Sequence, residues 1–347
     1  MSDRESSGAD PAPVIREARP ADADAVTAFA RDTWGERHED YIPRVFPEWA
    51  AADDPEAGTF VATLPPDAVA ESDAIGTTDG REPGDTLVEG DGTGAAAAGE
   101  PEAVVGCIQG VLLSEWEAWG QGIRVDPAAR GFGVGTALSE AALDWARDRG
   151  ARVCRNMVFS WNIMGLGQSR AVGFDPATEF RFAEPEPDAD AVDPSLDDPD
   201  PNAAWAFWHD SDARDHLRGL AFDPDESWAC SALTRERLQT AADEDRLLAV
   251  AGADAVAGFA VRTRVTEREV DGETTRTATY GVAAWRDVDA AGALYDAIAA
   301  DAAAVDADAV RVLIPETVEH VSDTGANRVP VAAEPDFVMS ADLTGEP

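Results

Sequence analysis

The chain has 347 residues, enough for two domains with ordinary cores. It carries 68 acidic residues against 27 basic ones, all of them arginine, for a formal charge of −41. That balance argues against nucleic acid and against an anionic membrane surface as partners, because both need a basic face.

Residues 1–12 read as a disordered tail. Residues 14–17 form a short strand, and 22–34 a helix with Ala25, Val26, Phe29 and Ala30 on one face. A second helical segment at 38–52 holds Tyr41, Phe46 and Trp49. A strand follows at 59–64. Residues 66–101 are Gly, Ala, Asp and Pro without periodicity and read as a disordered insertion. Segments 103–113 and 116–125 form a hairpin. Then come a helix at 136–149, a strand at 152–159, a short helix at 165–172 and a strand at 178–182. Residues 184–203 are rich in Pro and Asp, which stiffens and extends a chain, so this stretch reads as a linker.

Beyond the linker the pattern starts again. Residues 205–213 echo 15–23, each read as a strand running into an aspartate-capped helix. A helix at 233–242, strands at 247–250, 256–264 and 274–284, a helix at 288–304, a strand at 309–314 and a last strand at 337–343 complete the order. The expectation is a tandem duplication of a mixed α/β (α+β) domain, each copy a mostly antiparallel sheet flanked by helices. The copies span 13–183 and 204–347.

The three cysteines show no zinc or disulfide spacing, and Cys107 and Cys154 lie in apolar runs as core residues. The polar N-terminus lacks a signal region, and no apolar run approaches the ~18 residues of a membrane span. The expectation is a soluble, cytoplasmic protein, monomeric or homodimeric. The lack of lysine with abundant Asp, Glu and Ala points to a salt-accumulating halophile, since molar salt shortens the Debye length to ~3 Å and screens self-repulsion.

The strongest signal is Arg130-Gly131-Phe132-Gly133-Val134-Gly135. It follows an apolar strand ending Ile123-Arg124-Val125-Asp126-Pro127 and precedes a helix that opens at Thr136. A strand, a glycine turn and a helix N-terminus make a cradle for phosphate: the turn's N–H groups are free and the helix dipole favours negative charge. A Walker loop needs a lysine. A Rossmann fingerprint fails in both registers, because Thr136 and Leu138 stand where its third glycine would be.

The remaining pattern, Arg-x-x-Gly-x-Gly with Val125-x-Pro127 upstream, resembles the acyl-CoA loop of the GCN5-related N-acetyltransferases (GNAT family). A second resemblance is to that family's Asn-x-x-Ala-x-x-Leu-Tyr-x-x-x-Gly-Phe. Asn162 and Gly173-Phe174 match its ends, while Gly165, Gln168 and Ser169 replace the alanine, leucine and tyrosine. The resemblance implies acetyl transfer from acetyl-CoA, as co-substrate, to a primary amine of a small molecule or peptide, by direct attack in a ternary complex. It places the ligand on Ile123, Arg124, Val125, the turn from Arg130 to Gly135, Thr136 and Asn162, with no metal. The alternative is a non-catalytic acyl-CoA sensor or scaffold, favoured by the replaced tyrosine.

Such a reaction needs a base or a water chain for the amine proton and an N–H donor for the oxyanion. In this family the pantetheine arm lies between the fourth and fifth strands, beside residues 120–125 here. Gly120 and Gly122 either clear its path or mark a bulge. Family bases lie just before the Val-x-Pro, where Gln121 and Gly122 offer none. Glu117 acting through water and His38, which titrates near neutrality, are the rival bases. Glu115 reads as an exposed hairpin residue. Glu36, His38 and Tyr41 lie in the region that in this family lines the acceptor pocket. Ser169 stands in the place of the proton donor to the departing thiolate. It acts with a water, Tyr41 substitutes for it, or the thiolate leaves unassisted. Trp116, Trp119 and Trp161 either shape an acceptor pocket or pack the core. The second copy has no such loop: after Val282 it reads Ala283-Ala284-Trp285-Arg286-Asp287-Val288-Asp289, whose aspartates would repel a pyrophosphate. It reads as a degenerate repeat.

Overall fold

A computed structural model describes residues 11–31, 33–35, 40–70, 102–253, 255–270 and 273–345. Glu36, His38, residues 71–101 and most of the N-terminal tail lie outside the described residues. The chain divides into two compact units. The first is Met1–Cys154 with Gln168–Phe174 and Ala341–Pro347, and the second is Arg155–Gly167 with Asp175–Ser340.

In the first unit, β1 (Val14–Glu17) leads to α1 (Ala23–Ala30), α2 (Ile42–Ala51), β2 (Ala57–Leu64), α3 (Pro66–Ala70), β3 (Ala103–Leu112), β4 (Glu117–Val125) and α4 (Val134–Asp148). The four strands pair antiparallel in the order β1-β2-β3-β4. Helix α1 is shorter than its apolar pattern suggests. The Asp22 carboxylate pairs with Arg16 at 2.8 Å and accepts the Arg19 N–H, so it does not cap the helix. Helix α2 starts at Ile42 because Asp40, two residues earlier, accepts the Ile42 N–H. The alternation of β2 and β3 sends Val61 and Cys107 toward α1 and α2, and Ala62 and Ile108 toward α4, while a register slip opposite Ala62 and Thr63 turns Val105 to the α4 side as well. Helix α4 buries Val134, Leu138, Ala142 and Trp145, an amphipathic face in which each large side chain contributes about 1.5–3 kcal/mol. Gly58 and Gly110 pair across β2 and β3 beneath Trp145, whose ring would lie 2.5 and 3.0 Å from added Cβ atoms.

Two elements span the boundary between the units, β5 (Val153–Phe159) and α5 (Ile163–Ala171). The second unit continues with β6 (Asp175–Ala183), α6 (Pro201–His209), α7 (Asp212–His216), β7 (Leu220–Phe222), β8 (Cys230–Ala232) and α8 (Arg235–Asp243). It ends with β9 (Leu247–Ala251), β10 (Val256–Val270), β11 (Glu273–Trp285), α9 (Val288–Ala304), β12 (Ala309–Pro315), α10 (Val318–Ala326) and β13 (Asp336–Asp342). Its sheet runs β13-β6-β12-β11-β10-β9, antiparallel except for the β11–β12 pair. The mixed α/β class with mostly antiparallel strands is the one expected.

Three local expectations are corrected. Residues 66–70, expected as the start of the disordered insertion 66–101, form α3. Residues 205–208 are not a strand. They belong to α6, where Asp200 accepts the Asn202 N–H at 2.8 Å, Pro201 opens the first turn, and Ala204 and Trp208 are buried four residues apart. The stretch 184–200 is not a free linker. Glu184, Asp188 and Leu196 donate backbone N–H groups to Pro330, Ala299 and Ala249, and Ser195 bridges to Val250. The short β7–β8 hairpin and helix α10 had no counterpart in the sequence pattern, since three-residue strands show no alternation.

Candidate active site

The β3–β4 pairing slips between Cys107 and Gln109. Cys107 faces Arg124 and Gln109 faces Gln121, leaving Gly122 and Ile123 as a bulge on β4. Gly122 takes φ +67°, and an added Cβ would stand 2.7 Å from Trp49 and 2.9 Å from Ile42, so this position admits only glycine. Both bulge carbonyls are held. The Cys107 thiol donates to Gly122 O at 3.6 Å, and Arg124 Nη1 donates to Ile123 O at 2.8 Å.

Arg124 is itself fixed by Asp40, with Nε to Oδ2 at 2.6 Å and Nη2 to Oδ1 at 2.9 Å. Asp40 has no side-chain exposure and Arg124 only 7 %. The rings of Trp34 and Tyr41 lie over the guanidinium at 4.8 and 5.6 Å. Tyr41 also meets Trp49 edge-on at 6.3 Å. Tyr41, Trp49, Asp40 and Arg124 therefore converge on the bulge from the α1–α2 side. Burial pushes the Cys107 thiol up to about 12, with Arg124 opposing and Asp40 adding to the shift. It stays protonated and is a donor rather than a nucleophile. Asp40 was not among the expected site residues. An ion pair spanning 84 residues leaves no local pattern, and only the Asp-x-Ile start of α2 hinted at a fixed carboxylate.

Past Val125 the chain turns through Asp126, which accepts the Ala128 N–H, and enters the glycine turn. Arg130, Gly131 and Gly133 are exposed. Gly131 (φ +93°) and Gly133 (φ +74°) are left-handed, and an added Cβ at either would meet nothing within 4 Å. Gly133 is the N-cap of α4 and supplies no side-chain hydrogen bond to its first turn. The first-turn N–H groups of this 15-residue helix thus receive no side-chain cap from Gly133, and Arg130 stands exposed three residues before Gly133 in the same turn. Ile123, Val125 and Phe132 pack, partly buried, on the α4 core with buried Val134. Arg124 has its side chain committed to Asp40. Thr136 is partly exposed in the first turn. Gly135 has a different reason to be glycine: the Gln168 amide lies 3.2 Å from where its Cβ would be, and Gln168 Nε2 donates to Ser139 Oγ at 3.4 Å.

The other expected residues are placed elsewhere. Asn162 caps α5, its Oδ1 accepting the Gly165 N–H at 2.9 Å, and Gly165 replaces alanine because a Cβ would come 2.6 Å from the Asn162 amide. Ser169 is 5 % exposed within α5. Glu117 is 2 % exposed at the start of β4, about 16 Å along the strand from Gly122, and accepts from Ser114 Oγ at 3.3 Å. It closes the hairpin and does not reach the bulge. Glu115 is exposed there, as expected. Trp119 is core, Trp116 is 42 % exposed, and Trp161 stacks on Phe159 at 5.2 Å. Among the described residues no helix is long and apolar enough to cross a membrane.

In the second unit the β10–β11 register also slips, beside Gly281, where an added Cβ would run into Thr263. From there the chain enters α9 after a far shorter path. Asp287 caps that helix, its carboxylate accepting the Ala290 N–H at 2.9 Å.

No curated protein matches the chain. A GCN5-related N-acetyltransferase from Sphaerobacter thermophilus matches its structure at 14 % identity, covering 96 % of this chain and 97 % of that one, with a TM-score of 0.55. A candidate acetyltransferase from Thermoplasma acidophilum matches at 15 % identity over 95 % and 99 %, with a TM-score of 0.50. Residues 23–163 match the model of the acetyltransferase (GNAT) family. The chain therefore has a GNAT-type fold, and its family match covers α1, α2, the β4 bulge and the glycine turn that opens α4.

Proposed function

We propose that the first unit is an acyl-CoA-dependent N-acetyltransferase that acetylates a primary amine of a small molecule or peptide. The observation that carries this reading is the open glycine turn. Two left-handed glycines with nothing near their missing side chains sit at the uncapped N-terminus of α4, beside the exposed Arg130. Those groups fit a diphosphate: bare N–H donors, a favourable helix dipole and one cation. Bound acetyl-CoA would supply the activated acyl group.

The chain's own residues would do the rest. Main chain from Gly131 to Thr136 binds the phosphates. The pinned bulge at Gly122 and Ile123 keeps β4 rigid beside the reacting atoms. Tyr41, held among Arg124 and Trp49, is the group on the α1–α2 side able to donate a proton to the departing thiolate. With Asp40 committed to Arg124 and Glu117 at the far end of the strand, the amine proton passes to solvent. Cys107, held protonated, forms no acyl-enzyme, which favours direct attack. The matching bulge at Gly281, joined to a helix whose N-terminus is filled by Asp287, supports a tandem duplication with a degenerate second copy. The lysine-free, acidic composition supports a halophilic source.

Thiol release from acetyl-CoA with a panel of amines in molar KCl tests the reading, and no release with any amine would sink it. Gly133→Asp should abolish acetyl-CoA binding by setting a carboxylate against the phosphates; unchanged affinity would put the cradle elsewhere. A second reading is favoured by Ser169, which replaces the family's tyrosine. A non-catalytic acyl-CoA sensor would bind and be stabilised by acetyl-CoA without turnover.

A further inference from the structure

The second unit holds a cavity of about 570 Å³, within the usual range for small-molecule sites. Helix α6, the start of α7, the start of β10, the end of β11 and the first turn of α10 border it, and it opens to solvent. Its walls include Phe207 and Trp285, and Asp210, Asp212 and Glu319 stand exposed around it. Arg286 is the one basic residue of the lining apart from histidine, and its Nη2 donates to Val256 O at 2.9 Å.

His320 also lines the cavity, and only 4 % of its surface is exposed. Its ring packs on Trp285 at 5.0 Å, and Nδ1 lies 2.8 Å from Thr317 Oγ1. Nε2 is buried with no hydrogen-bond partner among the described residues. A buried polar atom left unpaired is unfavourable.

We propose that this cavity binds a small organic ammonium ion with an apolar, aromatic-sized body, at a site separate from the glycine turn. The charge argument sets the sign. Three carboxylates outweigh one guanidinium already bonded to a carbonyl, while the negative end of the α6 dipole is offset by the positive N-terminal ends of α7 and α10. The aromatic walls suit the apolar body. Burial, aided by His216 and opposed by Asp323 and Asp212, pushes the His320 imidazole down to about 4, so it is neutral and adds no positive charge to the lining. A coenzyme A diphosphate does not suit this place, since Asp287 already fills the α9 N-terminus.

The probe is phenethylammonium, titrated calorimetrically into the full chain in KCl buffer, with phenethyl alcohol and phenylpropionate as neutral and anionic counterparts. The expected result is saturable single-site binding of the ammonium, about tenfold or more tighter than either counterpart. The double variant Asp212→Asn with Glu319→Gln changes two exposed residues and should weaken it about tenfold. His320→Leu should weaken it further, with thermal melts checking that the variant folds. Gly133→Asp should leave ammonium binding intact, and Asp212→Asn with Glu319→Gln should leave acetyl-CoA binding intact, so failure of one site is distinguishable from failure of the other. No binding of the ammonium, equal or tighter binding of phenylpropionate, or unchanged affinity in the exposed double variant would overturn the proposal.

Discussion

Asp40 gives both carboxylate oxygens to Arg124 and a third hydrogen bond to the start of α2, with no exposure to water. A buried pair of this kind repays its desolvation only while both partners are present. Asp40→Ala should therefore cost about 3–5 kcal/mol, chiefly from the stranded guanidinium. Urea unfolding at fixed KCl reads this directly, and a loss under about 1 kcal/mol would show that the pair is solvated. Asp336 and His320 pull in opposite directions with pH. Burial, with Glu334 adding and Arg311 opposing, pushes the Asp336 carboxyl up to about 7. Its protonated form suits the fold, so its contribution is complete below about pH 4 and is lost as pH rises through 7. His320, pushed down to about 4, contributes fully above about pH 6.5 and loses that contribution as pH falls through 4. Between these limits the slopes oppose. Asp336→Asn removes one of them, so its melting temperature should climb from about pH 4.5 to 6.5 more steeply than that of the unaltered chain. Parallel profiles would mean that Asp336 titrates normally.

At the scale of elements, β4 is the component whose irregularity matters. Gly122 combines a left-handed backbone with contacts of 2.7 and 2.9 Å for any added Cβ. Gly122→Ala should cost about 1–3 kcal/mol from strain alone, and more from displacing Trp49. The same shift moves Tyr41 and Arg124, so acetyl transfer should fall along with stability. Retained activity and stability in that variant would mean that the bulge does not organise the site. Much of this geometry was legible. The glycine turn, the end of β4 and the α4 face are all set by neighbours in sequence, so spacing reveals them. The Asp40–Arg124 pair was not, because it joins residues far apart in the chain. Gly135 and Asn162 also have structural reasons to be what they are, since Gly135 packs against Gln168 and Asn162 caps α5. A glycine that frees backbone for a ligand and one that admits a neighbouring side chain look the same in sequence. The Trp205–Trp208 run reads as a strand through its echo of residues 15–18; the Asp200-Pro201 pair just before it is the helix signal that outweighs the echo.

At the scale of the whole molecule, the charge is the dominant fact. With 68 acidic groups and 27 arginines, at least 41 carboxylates lack a cation to pair with even if every arginine is used. Several arginines are in fact spent on buried or half-buried partners, such as Arg124 on Asp40, Arg181 on Glu316 and Arg262 on Asp301. The remaining carboxylates repel one another, and folding brings them closer, so self-repulsion opposes the compact state. Added salt relieves this by shortening the Debye length from about 10 Å at 0.1 M to about 3 Å at 1 M. The melting temperature should rise steeply over that range and flatten near about 1 M, where neighbouring charges no longer sense each other. Sucrose separates screening from preferential exclusion, because it strengthens burial without screening charge. A melting temperature that rises equally with sucrose, or stays flat between low and molar KCl, would show that the acidic surface is held in place by something other than salt.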